Sequence, residues 1–122
     1  MTECKFLDPV NVCIVSDAGT PAFETLTAFT FLHPEREVTV EPGFRSTAIH
    51  KPFARLEHIE YCISAGILYD WMLRRESIVR GDADRMFCDA LKVCGVRPGI
   101  VQYVWQQLLI GRYARGDHKG DL

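Results

Sequence analysis

The spacing of hydrophobic and polar residues changes once along this chain, near Pro52. Before Pro52, short runs typical of β-strands alternate with turn residues, and after it the apolar residues recur at helical spacing. Residues 10–15 are rich in β-branched side chains and precede residues 16–21, which include the aspartate, glycine and proline that turns favour. This order predicts a first β-hairpin.

Two further segments before the change are also typical of strands. Residues 23–32 are rich in phenylalanine and leucine and end at His33 and a proline. Residues 37–41 alternate cleanly, with Val38 and Val40 on one face and polar side chains on the other. Such alternation predicts a strand that is buried on one side only.

Three helices are predicted after the change in spacing. The first covers residues 53–74, and because its second half is apolar almost all round, we expect it to be the central helix. The second begins near Asp82 as its N-cap and stops at Gly95. The third begins at Pro98 and continues to Gly111. Residues at helical spacing in the second and third helices are predicted to face the core: Ala83, Phe87, Ala90, Leu91, Cys94, Val101, Val104, Trp105 and Leu108.

Together these elements predict an α+β fold, in which a small N-terminal antiparallel β-sheet packs on three C-terminal α-helices. We expect one domain over residues 1–113, because 122 residues of which 48% are hydrophobic can build a single core. Residues 114–122 form a charged C-terminal tail that should be disordered alone in water.

Charge and hydropathy exclude several classes of partner. A formal net charge of -2 and a pI near 6.1 give no basic footprint for a phosphate backbone, so no nucleic-acid partner is expected. Residues 1–15 lack the basic head and long apolar core of a signal peptide, and no apolar run is long enough to span a bilayer. We therefore expect folding in a cytoplasm and no membrane partner.

The cysteines do not predict a disulfide framework or a zinc knuckle. Their number is odd and no Cys-x-x-Cys pair occurs. We expect them to be reduced and mostly buried, because free cysteine behaves as a small hydrophobic residue. The five positions are Cys4, Cys13, Cys62, Cys88 and Cys94.

Three pieces of the sequence, in this order and spacing, resemble a phage and prophage family known as domain of unknown function 1353. They are VEPGFRSTAIHKP, ILYDWMLRR and GDADRMFCDAL, and the resemblance runs from about Phe6 to Gly111. No single piece is specific, and the case rests on their order and spacing. The resemblance implies a phage protein with this strand-then-helix arrangement.

The connection after the Gly-Phe turn departs from the family pattern. The family has a Thr-Asp pair and then a Ser-Ile-Pro, whereas this chain has Ser46 and Thr47 at the pair, His50 at the serine and Pro52 at the proline. The carboxylate of the pair is therefore missing. A hydroxyl group cannot replace a carboxylate as a base or ligand near neutral pH.

The first helix departs from the family pattern as well. The family helix has His-Asp before its aromatic residue, and this chain has Tyr69 and Asp70. The resemblance with two ionisable groups missing implies a chain without catalytic activity.

Asp70 is the one acidic residue in an apolar helix, and two roles are open for it. In the structural role it accepts hydrogen bonds from a neighbouring helix start or pairs with Arg74 or Arg85, because an unpaired buried carboxylate is costly. In the catalytic role it acts as a general acid or base with His50 and Thr47. We expect the structural role.

His58 and Cys62 are four residues apart, a spacing that places two metal ligands on one helix face. Two ligands do not make a site, and the sequence offers no second matched pair. We therefore predict no metal site and no cofactor.

Three aromatic residues near the end of the chain, Tyr103, Trp105 and Tyr113, are candidates for a contact surface, although core packing explains Trp105 equally well. With the family resemblance, they favour a non-catalytic bacteriophage structural or assembly protein. It would be a small virion component, at the tail or the capsid-tail junction, that contacts other virion proteins. We expect it in the host cytoplasm during synthesis and then in the virion, with oligomerisation within the assembly left open.

Two alternatives of other classes remain. One is a small phage hydrolase that acts on a peptide or cell-wall bond. The other is an intracellular inhibitor of a host defence.

Overall fold

In the part of the chain that the structure describes, six β-strands are followed by three α-helices. The computed structural model describes residues 4–17, 19–46, 63–75 and 77–114. Within these ranges the elements are β1 (Lys5–Phe6), β2 (Val12–Asp17), β3 (Thr20–Thr25), β4 (Phe29–Leu32), β5 (Glu37–Val40), β6 (Arg45–Ser46), α1 (Ile63–Leu73), α2 (Arg80–Val93) and α3 (Pro98–Ala114). The predicted α+β class is confirmed.

The strands form two small sheets. One three-stranded sheet has the order β1-β4-β5 and the other has the order β2-β3-β6, with every pairing antiparallel. The single sheet predicted from the sequence is thus divided in two, because β1 pairs with β4 across the chain and not with its neighbour β2.

The predicted first hairpin is β2 and β3. The pairing runs from Val12 opposite Thr25 to Asp17 opposite Thr20, so the strands continue into residues 16–21, which were predicted as the turn. Gly19 lies in the connection with a φ of 83°, a left-handed conformation that glycine adopts without a steric penalty. The turn is tighter than the sequence indicated.

The inward faces of β4 and β5 form the sheet side of the core. Phe29 and Phe31 alternate along β4, and Val38 and Val40 alternate along β5, and all four are buried. The predicted alternation over residues 37–41 is therefore confirmed.

A turn containing Gly43 leads from β5 to β6, and Thr25 holds it in place. Gly43 has a φ of 82°, and its N–H donates to the Thr25 carbonyl at 2.7 Å. The Thr25 hydroxyl donates to the Glu41 carbonyl at 2.8 Å and accepts from the Phe44 N–H at 3.0 Å. These bonds satisfy the turn's polar groups and fix the direction in which the chain enters β6.

Helix α1 is buried around most of its circumference. Residues 65–69 are all buried, and the helix contacts β5 and β6 on one side and α2 on the other. The prediction of a central helix is confirmed for this segment. The predicted first part of the helix, residues 53–62, lies outside the described residues.

The N-cap of helix α2 lies three residues earlier than predicted. Val79 is the N-cap, and its carbonyl accepts the first helical hydrogen bond from the Ala83 N–H at 3.1 Å. The prediction of Asp82 as N-cap is therefore wrong. Asp82 lies in the first turn, where its negative charge interacts favourably with the helix dipole. Its carboxylate also accepts a hydrogen bond from Arg85 at 3.1 Å.

Helix α2 ends as the sequence indicates. Gly95 follows the C-cap Cys94 with a φ of 91°, the Gly95 N–H donates to the Lys92 carbonyl at 3.0 Å, and the Val96 N–H donates to the Leu91 carbonyl at 3.1 Å. This pair of bonds is the Schellman motif, which satisfies the last carbonyls of a helix. The predicted inward stripe of α2 is buried except for Cys94, which is half-buried because it lies at the cap.

Helix α3 begins at Pro98, as predicted, and continues beyond the predicted end at Gly111 to Ala114. Val101, Val104 and Leu108 are buried as expected, and Trp105 is half-buried. Residues 112–114, which lie beyond the predicted end of the helix, form its last turn. Across the described ranges, no helix has the length and apolar character needed to cross a bilayer.

Candidate functional site

Asp70 has a structural partner in the neighbouring sheet. The Ser46 hydroxyl on β6 donates a hydrogen bond to the Asp70 carboxylate at 2.5 Å, and Ser46 is buried while Asp70 is half-buried. The bond joins the strand after the Gly-Phe turn to the middle of α1. Two of the positions singled out by the family resemblance therefore meet in space, as a hydroxyl and a carboxylate.

The arginines predicted as partners of Asp70 make other contacts. The Arg85 guanidinium lies 3.1 Å from Asp82 and 3.5 Å from Glu35, and the Arg74 guanidinium lies 5.0 Å from the centre of the Phe44 ring. The Arg85 side chain is 42% exposed. The observed partner of Asp70 is thus a serine and neither of the predicted arginines, and its structural role stays a prediction.

The other predicted site residues are not among those that the structure describes. Thr47 and His50, proposed with Asp70 as catalytic candidates, lie outside the described residues. The same holds for His58 and Cys62, the candidate metal pair. Of the five candidates, only Asp70 has a described environment.

A buried polar cluster that local sequence patterns did not predict connects the three helices. Asp84 on α2 and Arg112 on α3 have no exposed side-chain surface, and Arg112 Nε lies 2.7 Å from Asp84 Oδ2. The Tyr69 hydroxyl on α1 donates to Asp84 Oδ1. Arg80 Nε approaches the same oxygen at 3.9 Å from the preceding turn of α2.

Burial dominates the electrostatics of this cluster. It raises the pKa of Asp84 above the usual value, while the hydrogen bond from Tyr69 and the charges of Arg112 and Arg80 offset part of the increase. Burial also raises the pKa of Tyr69 far above its usual value, and the nearby Asp84 carboxylate adds to the shift. Tyr69 therefore remains a hydrogen-bond donor at any physiological pH.

This cluster lacks the access that a reaction requires. The Tyr69 ring stacks on Phe87 with 4.4 Å between ring centres, and both rings lie inside the core. A substrate would have to displace the packing between all three helices to reach Asp84. The arrangement fixes the helices relative to one another through the ion pair of Arg112 with Asp84 and the hydrogen bond from Tyr69.

The outward face of α3 is unusual for a surface helix. Tyr103 and Ile110 are 46% and 61% exposed and lie seven residues apart, which places them two turns apart on one face. The glutamines Gln106 and Gln107 lie between them, and both are exposed. Along the 17 residues of α3 the only charged side chain is Arg112, which is buried. The α3 outer face, defined by Tyr103, Gln106, Gln107 and Ile110, therefore carries no charge.

A cleft near the start of α1 offers little for recognising a ligand. It has a volume of about 380 Å³ and is lined by Phe6, Asp8, Val10, Val12, Ile63 and Ser64. Asp8 already accepts a hydrogen bond from the Thr30 N–H at 3.0 Å, and the Ser64 hydroxyl lies 3.6 Å from Cys94 Sγ. Its polar groups are thus engaged within the protein.

A second polar group lies where β4 ends against α2. Cys4, His33 and Asp89 each present one potential ligand atom there, and these atoms lie within 4.8 Å of one another. Burial raises the pKa of the Cys4 thiol, and the charge of Asp89 adds to the increase. Local sequence patterns do not predict this group, because its members are separated by 29 and 56 positions.

All four described cysteines, Cys4, Cys13, Cys88 and Cys94, are free thiols. Only Cys88 among them is buried, so the expectation that the cysteines are mostly buried is wrong for the described part of the chain. Cys4 precedes the first strand and Cys94 caps a helix, positions that the core does not enclose.

Comparison of the chain with family models, with curated proteins and with solved structures gave no match. The resemblance to domain of unknown function 1353 therefore stays a prediction from the order and spacing of its three sequence pieces.

Proposed function

We propose that this chain is a non-catalytic bacteriophage structural or assembly protein, a small virion component of the tail or capsid-tail junction that acts through protein-protein contacts. The observation that carries the contact function is the uncharged α3 outer face. The phage setting rests on the family resemblance of the sequence.

The composition of the α3 outer face suits a protein interface better than a solvated surface. A helix at the surface of a globular protein normally places charged residues opposite its buried stripe. Interfaces are enriched in tyrosine and depleted of lysine, glutamate and aspartate relative to the rest of the surface. Tyr103 and Ile110 can insert into a partner, while Gln106 and Gln107 can form hydrogen bonds at little desolvation cost compared with charged groups.

The rigid attachment of α3 adds to this proposal. Arg112 anchors the last turn of the helix to Asp84, and Val104 and Leu108 fix its middle in the core. A surface that is already ordered loses less conformational entropy when it binds. The outer face is thus presented on a fixed support.

Mass spectrometry of purified phage particles tests the proposal directly. A virion component should be present at a fixed copy number relative to the major particle proteins. Absence of the chain from particles, together with a monomer in infected cells, would contradict the proposal and favour the inhibitor or the enzyme.

Two variants then test the surface. Tyr103→Lys combined with Ile110→Lys places two charges on the α3 outer face, and we expect incorporation into particles to fall at least about tenfold, as for the loss of a central interface anchor. The matched control is Ile14→Lys on β2, where the side chain is 76% exposed. Equal incorporation of both variants, with both folded, would exclude this face as the contact.

The hydrolase alternative requires Asp70 together with Thr47 and His50, whereas the observed partner of Asp70 is the Ser46 hydroxyl. Its decisive test is turnover of a cell-wall substrate by the purified protein. Loss of such turnover in His50→Ala, with assembly intact in Asp70→Asn, would overturn the structural proposal.

A further inference from the structure

The side chains of Cys4, His33 and Asp89 come together from three separate parts of the fold. Cys4 immediately precedes β1, His33 follows β4, and Asp89 lies in the middle of α2. Because β1 pairs with β4, residues 4 and 33 lie at the same end of that sheet, and α2 closes the group from the other side. The potential ligand atoms lie within 4.8 Å of one another.

We propose that Cys4, His33 and Asp89 bind a divalent transition-metal ion of the zinc type. Thiolate, imidazole and carboxylate are the three ligand types that zinc takes in proteins, and the thiolate disfavours magnesium and calcium. Ligands around a tetrahedral zinc ion lie about 3.3–3.8 Å apart, as follows from metal-ligand distances of about 2.0–2.3 Å. Small side-chain rotations would bring the three atoms into that range.

The His33 side chain is fixed by burial and by hydrogen bonds, and only 6% of its surface is exposed. Its Nε2 lies 2.8 Å from Asp89 Oδ2, and its Nδ1 accepts a hydrogen bond from the Glu35 N–H at 3.2 Å. Since Nδ1 is an acceptor, the neutral ring carries its proton on Nε2 and donates it to Asp89. An ion bound at Nε2 would take the place of that shared proton.

Ion binding at Nε2 has a consequence for the neighbouring turn. The ring proton would move to Nδ1, which could then no longer accept the Glu35 N–H. The hydrogen bond from Glu35 would be lost, and its amide would become a local reporter of occupancy. The Cys4 S–H bond would break in favour of a sulfur-metal bond, and its proton would pass to solvent.

Lys92 and the solvent-accessible side of Cys4 form the remaining surroundings of the proposed site. Lys92 Nζ lies 3.7 Å from Asp89 Oδ1, so it contacts the carboxylate oxygen that His33 does not use. Cys4 is only half-buried, which gives the ion a route from solvent. Three protein ligands leave a fourth position for water, and such a site is open rather than closed.

Cobalt(II) provides the clearest test, because cobalt bound to a thiolate has a charge-transfer band in the near ultraviolet. We expect the purified full-length protein to bind one equivalent of cobalt with this band, and zinc to displace it. Cys4→Ser should abolish the band, and His33→Gln and Asp89→Asn should each weaken binding at least about tenfold. The matched control is Cys13→Ser, a half-buried free thiol on β2, which should leave the band unchanged.

Two outcomes of the cobalt experiment would overturn the site. One is the absence of a thiolate band in the unaltered protein. The other is a band that persists in Cys4→Ser, and its loss in Cys62→Ser would then assign the thiolate to Cys62. If His33→Gln does not fold, the Cys4→Ser and Cys13→Ser pair still decides, because Cys4 precedes the first strand. A zinc-dependent shift of the Glu35 amide resonance supports the assignment, and an unchanged resonance at saturation contradicts coordination through His33 Nε2.

Discussion

Arg112 Nε lies 2.7 Å from Asp84 Oδ2, and both side chains are wholly buried. The pair joins the last turn of α3 to the first half of α2, and Tyr69 on α1 completes the contact. A buried ion pair adds little stability compared with apolar packing, but loss of one partner is costly because the other charge remains in the core. The pair therefore makes the helix arrangement dependent on both residues at once.

We expect Arg112→Met to lower the free energy of unfolding by about 3–5 kcal/mol, since it leaves the Asp84 carboxylate without its main counter-charge. Adding Asp84→Asn should recover part of the loss, because the neutral amide can still accept from Tyr69. Urea unfolding followed by circular dichroism measures both.

Arg85→Met is the control for this pair. Arg85 is an arginine of the same helix pair whose contacts with Asp82 and Glu35 lie at the surface, so its loss should cost less than about 1 kcal/mol. A cost for Arg112→Met as small as that for Arg85→Met would show that the buried pair is not needed.

Gly95→Ala should destabilise the protein by about 1–2 kcal/mol, because the φ of 91° is unfavourable for a residue with a Cβ. Gly99→Ala is the matched control. Gly99 lies in the first turn of α3, where an added Cβ meets no atom within 4 Å, so alanine should stabilise by about 0.5–1 kcal/mol. Thermal unfolding should shift in opposite directions for the two variants, and a shift in the same direction would contradict the Schellman motif as the reason for Gly95.

Ser46→Ala should lower stability by about 1–3 kcal/mol, because it removes a hydrogen bond to the Asp70 carboxylate. Asp70→Asn retains an acceptor oxygen and should cost less than Asp70→Ala. Denaturant midpoints for the three variants test this ranking. If Asp70→Asn were as damaging as Asp70→Ala, the charge of Asp70 would have a role beyond accepting from Ser46.

Cys88 should resist alkylation in the folded protein. Burial, with the nearby Asp84 and Asp89 charges, raises the pKa of Cys88 to about 12, so only roughly one thiol in 10⁴ is ionised near pH 8. Peptide mapping after brief iodoacetamide treatment should find Cys88 unmodified and Cys13, half-buried on the edge strand β2, modified. In urea both should react, and rapid modification of native Cys88 would mean that α2 opens readily.

Local patterns in the sequence were sufficient to predict much of the fold. Pro98 and Gly95 mark helix boundaries through backbone constraints of their own, and the alternation at Val38 and Val40 reports burial on one face, so these predictions needed no distant partner. The start of α2 was placed wrongly because Asp82 has the side chain of a good N-cap, whereas the helix begins at a valine that caps through its backbone alone.

The sites could not be predicted in the same way. Arg112 follows a glycine near a charged segment, and its burial depends on Asp84 and Tyr69, which the fold brings from two other helices. Likewise, the meeting of Cys4 with His33 depends on the pairing of β1 with β4, for which local patterns carry no signal.

The lack of charge on the α3 outer face also affects the rate at which a partner would associate with it. Association through that surface would lack the long-range steering that charged patches provide, so its rate constant should lie near the unsteered value of about 10⁵–10⁶ M⁻¹s⁻¹. Added salt would change this rate little, because the α3 outer face carries no charge for the ions to screen. Binding would then depend on a high local concentration of the partner and on slow dissociation, and a growing assembly supplies both conditions.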